Sequence, residues 1–140
     1  MLAAPKFLFA ALILAVNTLV LCSSMIPFAL AKLILPITPV RHVCDRALMG
    51  IASLWMDINN FWLGAVNPIQ WQISGVDGLD PRGWYLVASN HQTWVDILVL
   101  QRVFNRRIPM LKFFTKKELI YVPVIGLAWW ALDFPFMQRK

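Results

Sequence analysis

The sequence predicts an α/β fold made of an N-terminal membrane helix or hairpin, an amphipathic helix, and then the first part of a largely parallel sheet. Three observations predict it. Residues 7–31 carry no charge, and residues 41–62 repeat apolar side chains every three or four positions. From residue 71 onward, short apolar runs alternate with helical patterns. Such alternation is typical of a parallel sheet with helical connections.

Composition narrows the class of protein before any motif is considered. Hydrophobic residues make up 59% of the 140 residues and charged residues only 14%, whereas soluble domains average roughly 45–50% apolar. The excess predicts a membrane lipid partner. The net charge of +6 favours anionic partners. We expect no nucleic acid, because the basic residues are scattered and form no recognition motif, and no metal, because Cys22 and Cys44 read as unpaired thiols.

Residues 1–40 are predicted to form a membrane anchor. Lys6 and Lys32 bracket the uncharged run, and about 20 apolar residues are enough to cross a bilayer. Because Pro27 is expected to break or kink the helix, one spanning helix and a helical hairpin both fit. A cleaved signal peptide is a third interpretation, since residues 29–31 resemble a cleavage site. The basic residues that follow favour the C-terminal side as cytoplasmic.

Residues 41–70 are predicted to contain an amphipathic helix. The spacing of its apolar and polar positions is three to four, which is the period of one helix face. The wide aromatic face could pack on the domain or lie in the lipid head-group layer. The predicted apolar stripe consists of Val43, Ala47, Ile51, Leu54, Trp55, Ile58, Phe61 and Trp62.

Residues 71–140 are predicted to form the α/β region. Apolar runs bounded by Gly, Pro, Asn and Asp indicate strands, and longer periodic stretches indicate helices. The predicted strands are 71–74, 84–88 (buried), 110–114 and 134–137, and the predicted helices are 93–104 and 116–131, the latter interrupted at Pro123.

His91 and Asp96 are the candidate catalytic residues. Histidine suits general-base chemistry near neutral pH, and a carboxylate commonly orients it. Five residues of α-helix turn through about 500°, which leaves two such side chains ~140° apart. We therefore expect His91 in the loop before a helix capped by Thr93, with Asp96 at the third helical position in a capping-box-like placement.

Residues 90–96 (Asn-His-Gln-Thr-Trp-Val-Asp) resemble the first block of the glycerolipid acyltransferases, the group that includes the lysophosphatidic acid (1-acylglycerol-3-phosphate) acyltransferases. Residues 112–119, with Pro123 and Gly126, are similar to the segment that follows in that family. Residues 133–139 look like its second block, an apolar strand closed by an arginine. The resemblance covers residues 71–140, which would be the N-terminal part of the acyltransferase domain.

The resemblance implies a general-base mechanism. His91 would take the proton from a substrate hydroxyl, and Asp96 would hold the imidazole and stabilise its protonated form. The hydroxyl of a lysophospholipid acceptor would attack the acyl thioester donor, acyl-CoA or acyl-acyl-carrier protein, with no acyl-enzyme and no cofactor. Arg139 would contact the phosphate of the acceptor, and Lys116 or Lys117 would occupy a basic phosphate-binding position. A bacterial inner membrane, with the site on its cytoplasmic side, is the implied location.

Two family blocks that follow the second one, including a Glu-Gly-Thr-Arg motif, have no counterpart in these 140 residues. We therefore expect an N-terminal fragment that is inactive by itself. Acylation of glycerol 3-phosphate is the alternative within the enzyme class. A non-catalytic, truncated membrane protein of the same family is the alternative outside it.

Overall fold

Helices dominate the part of the protein that the structure, a computed structural model, describes: residues 3–66, 70–90 and 92–138. A small parallel sheet of two short strands accompanies them. In chain order the elements are α1 (Ala3–Ile34), α2 (Thr38–Val66), α3 (Trp94–Phe104), β1 (Thr115–Lys116), a 3-10 helix (Lys117–Tyr121), α4 (Ile125–Ala131) and β2 (Phe136–Met137).

The helix α1 continues through Pro27. The predicted break at this residue, and with it the hairpin that would turn there, is therefore wrong. Met25 and Ala29, on either side of the proline, are both buried in the same hydrophobic cluster. Their packing holds the two halves together and offsets the roughly 3 kcal/mol that a proline costs inside a helix. Within α1, residues Leu8–Ile34 are long and apolar enough to cross a membrane.

The helices α1 and α2 pack as an antiparallel pair. The rings of Phe9 and Trp62 lie 5.8 Å apart near one end, and Lys32 pairs with Asp45 at 2.8 Å near the other. Toward the Lys32 end, helix α4 packs against α1 and completes the core. The core residues are Met25, Ala29, Leu48, Ala52, Ala128, Ala131, Leu132 and Phe134.

The amphipathic helix is longer than predicted, and its buried face is displaced from the predicted one. Val43, Leu54 and Phe61 belong to the predicted stripe, yet they are exposed, Phe61 by 70%. Close packing of two helices favours small or flexible residues at the contact, so the bulky side chains face outward. The buried residues of α2 are Cys44, Leu48, Ala52, Met56 and Asn59.

The first two predicted strands are wrong, because residues 70–90 form neither helix nor strand. Trp84 is fully exposed and Leu86 is 88% exposed, although residues 84–88 were expected to be buried. A strand requires a partner for its backbone groups. The only sheet among the described residues contains β1 and β2 alone, and residues 70–90 pair with neither of them.

The parallel sheet is confirmed on a smaller scale. Thr115 pairs with Phe136 and Lys116 with Met137, so the strand predicted at 134–137 occurs in shortened form as β2. The strand predicted at 110–114 is wrong, because none of these residues is in a strand and β1 begins only at Thr115. The predicted interruption at Pro123 is also confirmed. It divides the predicted helix 116–131 into the 3-10 helix and α4, since proline cannot donate the backbone hydrogen bond that would continue the helix.

Candidate active site

The helix α3 begins as the sequence predicts. Thr93 is the N-cap residue, with extended backbone angles (φ −139°, ψ 162°), and Asp96 occupies the third helical position. The backbone N–H of Asp96 donates to the carbonyl oxygen of Thr93 at 3.1 Å. The first turn of α3 therefore has a fixed direction, and Asp96 points back toward the residues that precede the helix.

The Asp96 carboxylate is bound by the backbone just before α3. Its Oδ2 atom accepts hydrogen bonds from the N–H of Gln92 at 2.7 Å and from the N–H of Thr93 at 2.6 Å. Both donors lie at the N-terminus of α3, where negative charge is favourable. His91 lies outside the described residues. The carboxylate predicted to orient it is nevertheless fixed against the peptide groups that follow position 91.

The far end of α3 is fastened to α2. Arg102 donates from Nη1 to the carbonyl oxygen of Asn60 at 2.9 Å, and its guanidinium lies 4.6 Å from the centre of the Trp71 ring. Asn105 donates to Asp57 Oδ1 at 2.8 Å. These contacts hold α3 at both its side and its C-terminal end, so the helix that carries Asp96 is anchored on the N-terminal helix pair.

Two consecutive exposed lysines, called the lysine step below, lie where β1 meets the 3-10 helix. Lys116 is the last residue of β1 and Lys117 the first of the 3-10 helix. Thr115 anchors them, because its N–H donates to the carbonyl oxygen of Pro135 at 3.0 Å, directly before β2. Arg139, the third predicted phosphate ligand, lies outside the described residues. Exposed ammonium groups at the end of a paired strand are accessible to a phosphate, which lysine binds as a point charge.

The two halves of the predicted site, Asp96 and the lysine step, belong to elements that pack against different parts of the protein. Helix α3 packs on α2, whereas β1 packs on β2 and on the 3-10 helix. The described residues therefore place Asp96 and the lysine step on separate neighbouring elements. Both are connected to the N-terminal helix pair: α3 contacts α2, and the sheet is linked to α1 through the 3-10 helix and α4. The relative placement of the two halves depends on that pair.

A cavity beside α3 is not part of this site. It measures about 200 Å³ and lies beside Gln101 and Phe104, toward the C-terminal end of α3 and away from Asp96. Met49, Met56 and Met110 contribute to an apolar lining. The described residues also contain no group of three or more His, Cys, Asp or Glu side chains that could hold a metal ion.

Sequence reasoning missed one polar cluster next to the sheet. Lys32, treated as the bracket of an apolar run, is only 7% exposed and binds both Asp45 and Asp133. Asp133 precedes β2 by three residues. The sequence feature that could have indicated this cluster is a lysine in the last turn of an apolar helix, because a charge there is costly unless it is paired. The partners, however, are 13 and 101 positions away and cannot be read from spacing.

Comparison with known proteins gives a family match over the second half of the chain. The family model described as Acyltransferase matches residues 70–140. The 1-acyl-sn-glycerol-3-phosphate acyltransferases alpha of Mus musculus, Homo sapiens and Bos taurus are each 33% identical over 73 residues. Each match covers 51% of this chain and 24% of the relative, so the similarity spans about a quarter of the length of these proteins. No solved structure matches the chain.

Proposed function

The chain belongs to the acyltransferase family, and we propose that the protein transfers a fatty acyl group from a thioester donor to the hydroxyl of lysophosphatidic acid or a related lysophospholipid. The observation that carries this proposal is the fixed Asp96 carboxylate, held by two backbone N–H groups at 2.6 and 2.7 Å on the residues that follow His91. The relatives named for acylation of 1-acyl-sn-glycerol 3-phosphate support the choice of acceptor.

In the proposed mechanism His91 acts as the general base. It takes the proton of the acceptor hydroxyl as that oxygen attacks the thioester carbonyl. The new ester bond forms, the carbon–sulfur bond breaks, and the proton passes from the imidazolium to the departing thiolate. Asp96 orients the imidazole and stabilises its protonated state. Base catalysis of this kind contributes roughly 10²–10⁴-fold, and no acyl-enzyme or cofactor is needed.

The proposed acceptor site is basic. Lys116 and Lys117 are exposed at the junction of β1 and the 3-10 helix, and Arg139 follows β2 by two positions in the sequence. Ammonium and guanidinium groups bind phosphate strongly, the latter in a bidentate manner. We assign all three to the phosphate of the acceptor.

We also propose that the protein works at a membrane, with α1 inserted and the site on the cytoplasmic side of a bacterial inner membrane. The span Leu8–Ile34 has the length and composition for this. Large apolar side chains on α1 are exposed, among them Leu12, Val16 and Leu19 at 51–61%. Such a surface is costly in water and favourable in lipid.

Acyl transfer by the complete gene product in membranes tests the proposal. Lysophosphatidic acid and glycerol 3-phosphate are offered as acceptors, and acyl-CoA and acyl-acyl-carrier protein as donors. We expect product with lysophosphatidic acid and a loss of about 10²–10⁴-fold in His91→Ala. The matched control is His42→Ala, because His42 is exposed on α2, and its activity should equal that of the wild type. Undiminished transfer in His91→Ala would remove the assigned base.

A further inference from the structure

A buried ammonium group joins three helices near the sheet. Lys32, at the end of α1, is 7% exposed. Its Nζ atom lies 2.8 Å from Oδ1 of Asp45 on α2 and 3.2 Å from Oδ2 of Asp133. It also donates to the carbonyl oxygen of Ala131 at 3.0 Å, the last residue of α4. A cation at a helix C-terminus satisfies a carbonyl that has no partner within the helix.

Asp133 occupies a position that normally selects glycine. Its φ is 56°, in the left-handed region. Its N–H donates to the carbonyl oxygen of Trp130, and the N–H of Phe134 donates to that of Trp129, each at 3.0 Å. This pair of bonds is the Schellman motif that ends a helix, in which glycine adopts the left-handed conformation at the lowest cost. An aspartate here adds a carboxylate, and that carboxylate binds Lys32.

The chain that leaves Asp133 reaches the lysine step within a few residues. Phe134 is 7% exposed and packs in the core, so its position is fixed by the core residues around it. The carbonyl oxygen of Pro135 then accepts from the N–H of Thr115 at 3.0 Å and from its hydroxyl at 3.3 Å. Lys116 follows directly in β1. A rigid path of contacts therefore connects the Lys32 ammonium to the proposed phosphate site.

We propose that Lys32 is a positioning residue for acceptor binding. Its ion pair with Asp133 holds the start of β2, and β2 in turn holds Lys116 and Lys117 where they meet the acceptor phosphate. The role of the two lysines in this inference rests on the proposed function. The same contact makes the apolar helix α1 a direct support of the site, in addition to an anchor.

Lys32→Met removes the charge and keeps the length of the side chain. The carboxylates of Asp45 and Asp133 are 45% and 62% exposed, so they stay hydrated without Lys32 and no buried charge is stranded. In the complete gene product we expect the KM for lysophosphatidic acid to rise by about 10- to 100-fold, with kcat and the KM for the acyl donor nearly unchanged. Lys32→Arg, which keeps the charge, should recover most of the acceptor KM.

The matched control is Arg46→Met, because Arg46 is an exposed cation of α2 whose guanidinium bonds the carbonyl oxygen of His42 in its own helix. It should leave every kinetic constant unchanged. An unchanged acceptor KM in Lys32→Met would overturn the proposal. So would a fall in the apparent kcat with both KM values unchanged, because that pattern reports a smaller folded fraction and no positioning.

A second measurement does not depend on activity. Asp133→Gly keeps the left-handed turn and removes only the carboxylate, so this variant should fold even if Lys32→Met does not. We expect the Thr115 amide to exchange with solvent at least about tenfold faster in Asp133→Gly than in the wild type, since local opening sets the exchange rate. Unchanged protection of Thr115 would overturn the proposed path. If the wild type shows this path but transfers no acyl group, the proposed function fails and the path stands.

Discussion

Asn17 of α1 donates a hydrogen bond of 2.8 Å from Nδ2 to Oδ1 of Asn59 of α2. The two side chains are 8% and 5% exposed and lie in an otherwise apolar helix pair. Asn17 also donates to the carbonyl oxygen of Trp55 at 3.3 Å, and the Trp55 indole donates to the hydroxyl of Thr18 at 3.0 Å. Hydrogen bonds between apolar helices fix their rotation and register, so this cluster specifies how α1 meets α2.

Replacement of Asn17 by leucine should destabilise the helix pair. The substitution leaves Oδ1 of Asn59 without its donor, and Nδ2 of Asn59 already has no partner among the described residues. We expect a loss of about 1 kcal/mol, measured by thermal unfolding in detergent micelles. The double variant Asn17→Leu/Asn59→Leu should recover part of it, and Val16→Leu, at an exposed neighbouring position, should change nothing. Equal stability of Asn17→Leu and wild type would contradict the role of the cluster.

Charges placed on the exposed face of α1 should release the protein from lipid. Leu12 and Leu19 are 61% and 54% exposed. An aspartate at the centre of a spanning helix costs about 2.5–3.5 kcal/mol on insertion scales. We therefore expect the Leu12→Asp/Leu19→Asp variant to remain at the bottom of a density gradient when the vesicles float to the top. The control with the same charge change, Gln72→Asp/Ser74→Asp, should float with the vesicles. Flotation of both variants would argue against insertion of this face.

Gly126 should tolerate no larger residue. A Cβ atom at this position would lie 2.1 Å from the carbonyl oxygen of Ile120, and backbone cannot move aside as a flexible side chain can. We expect Gly126→Ala to lower the free energy of unfolding by about 1–3 kcal/mol or more. Gly50 is the matched control, because it lies in α2 and a methyl group added there would meet no atom within 4 Å. Gly50→Ala should stabilise the protein by roughly 0.5–1 kcal/mol. Denaturant unfolding compares the two, and equal stabilities would contradict the close contact.

The local features of the fold could be predicted from the sequence. The cap at Thr93, the third-position placement of Asp96 and the interruption at Pro123 each depend on a few neighbouring residues, and all three are confirmed. The continuity of α1 at Pro27 could not be predicted, because it depends on burial against α2 and α4. The apolar run at 84–88 was wrongly predicted to be a buried strand, since hydrophobicity alone does not say whether a pairing strand is present.

The same distinction between local features and long-range contacts applies to the candidate site. The placement of Asp96 at the third position of α3 could be predicted because it is a local property, whereas its catalytic role remains a prediction. The roles assigned to His91 and Arg139, which lie outside the described residues, and to Lys116 and Lys117 remain predictions. The contact of Lys32 with Asp133 spans 101 positions and involves a left-handed aspartate, so no periodicity or motif in one sequence could indicate it. Contacts of that kind are set by packing of the whole helix pair against α4.

Asp96 caps α3 and has a proposed role beside His91, and one substitution can separate the two. As a cap it accepts the N–H of Thr93, and an amide oxygen can accept that bond as well. In the proposed role beside His91 it would need its negative charge. Asp96→Asn should therefore keep the stability within about 0.5 kcal/mol of the wild type, while acyl transfer falls by roughly 10²–10⁴-fold. Unfolding and initial rates are measured on the same preparation of the complete gene product.

Asp96→Ala gives the complementary result, because it loses the cap and the charge together. We expect about 1 kcal/mol of destabilisation with a loss of activity as large as that of Asp96→Asn. Asp77→Asn is the control, since Asp77 is an exposed turn residue, and it should alter neither quantity. If Asp96→Asn retains full activity, the carboxylate serves only to begin α3, and the orientation of His91 must come from another group. An equal loss in the two variants instead assigns the effect to the charge, because only Asp96→Ala removes the cap.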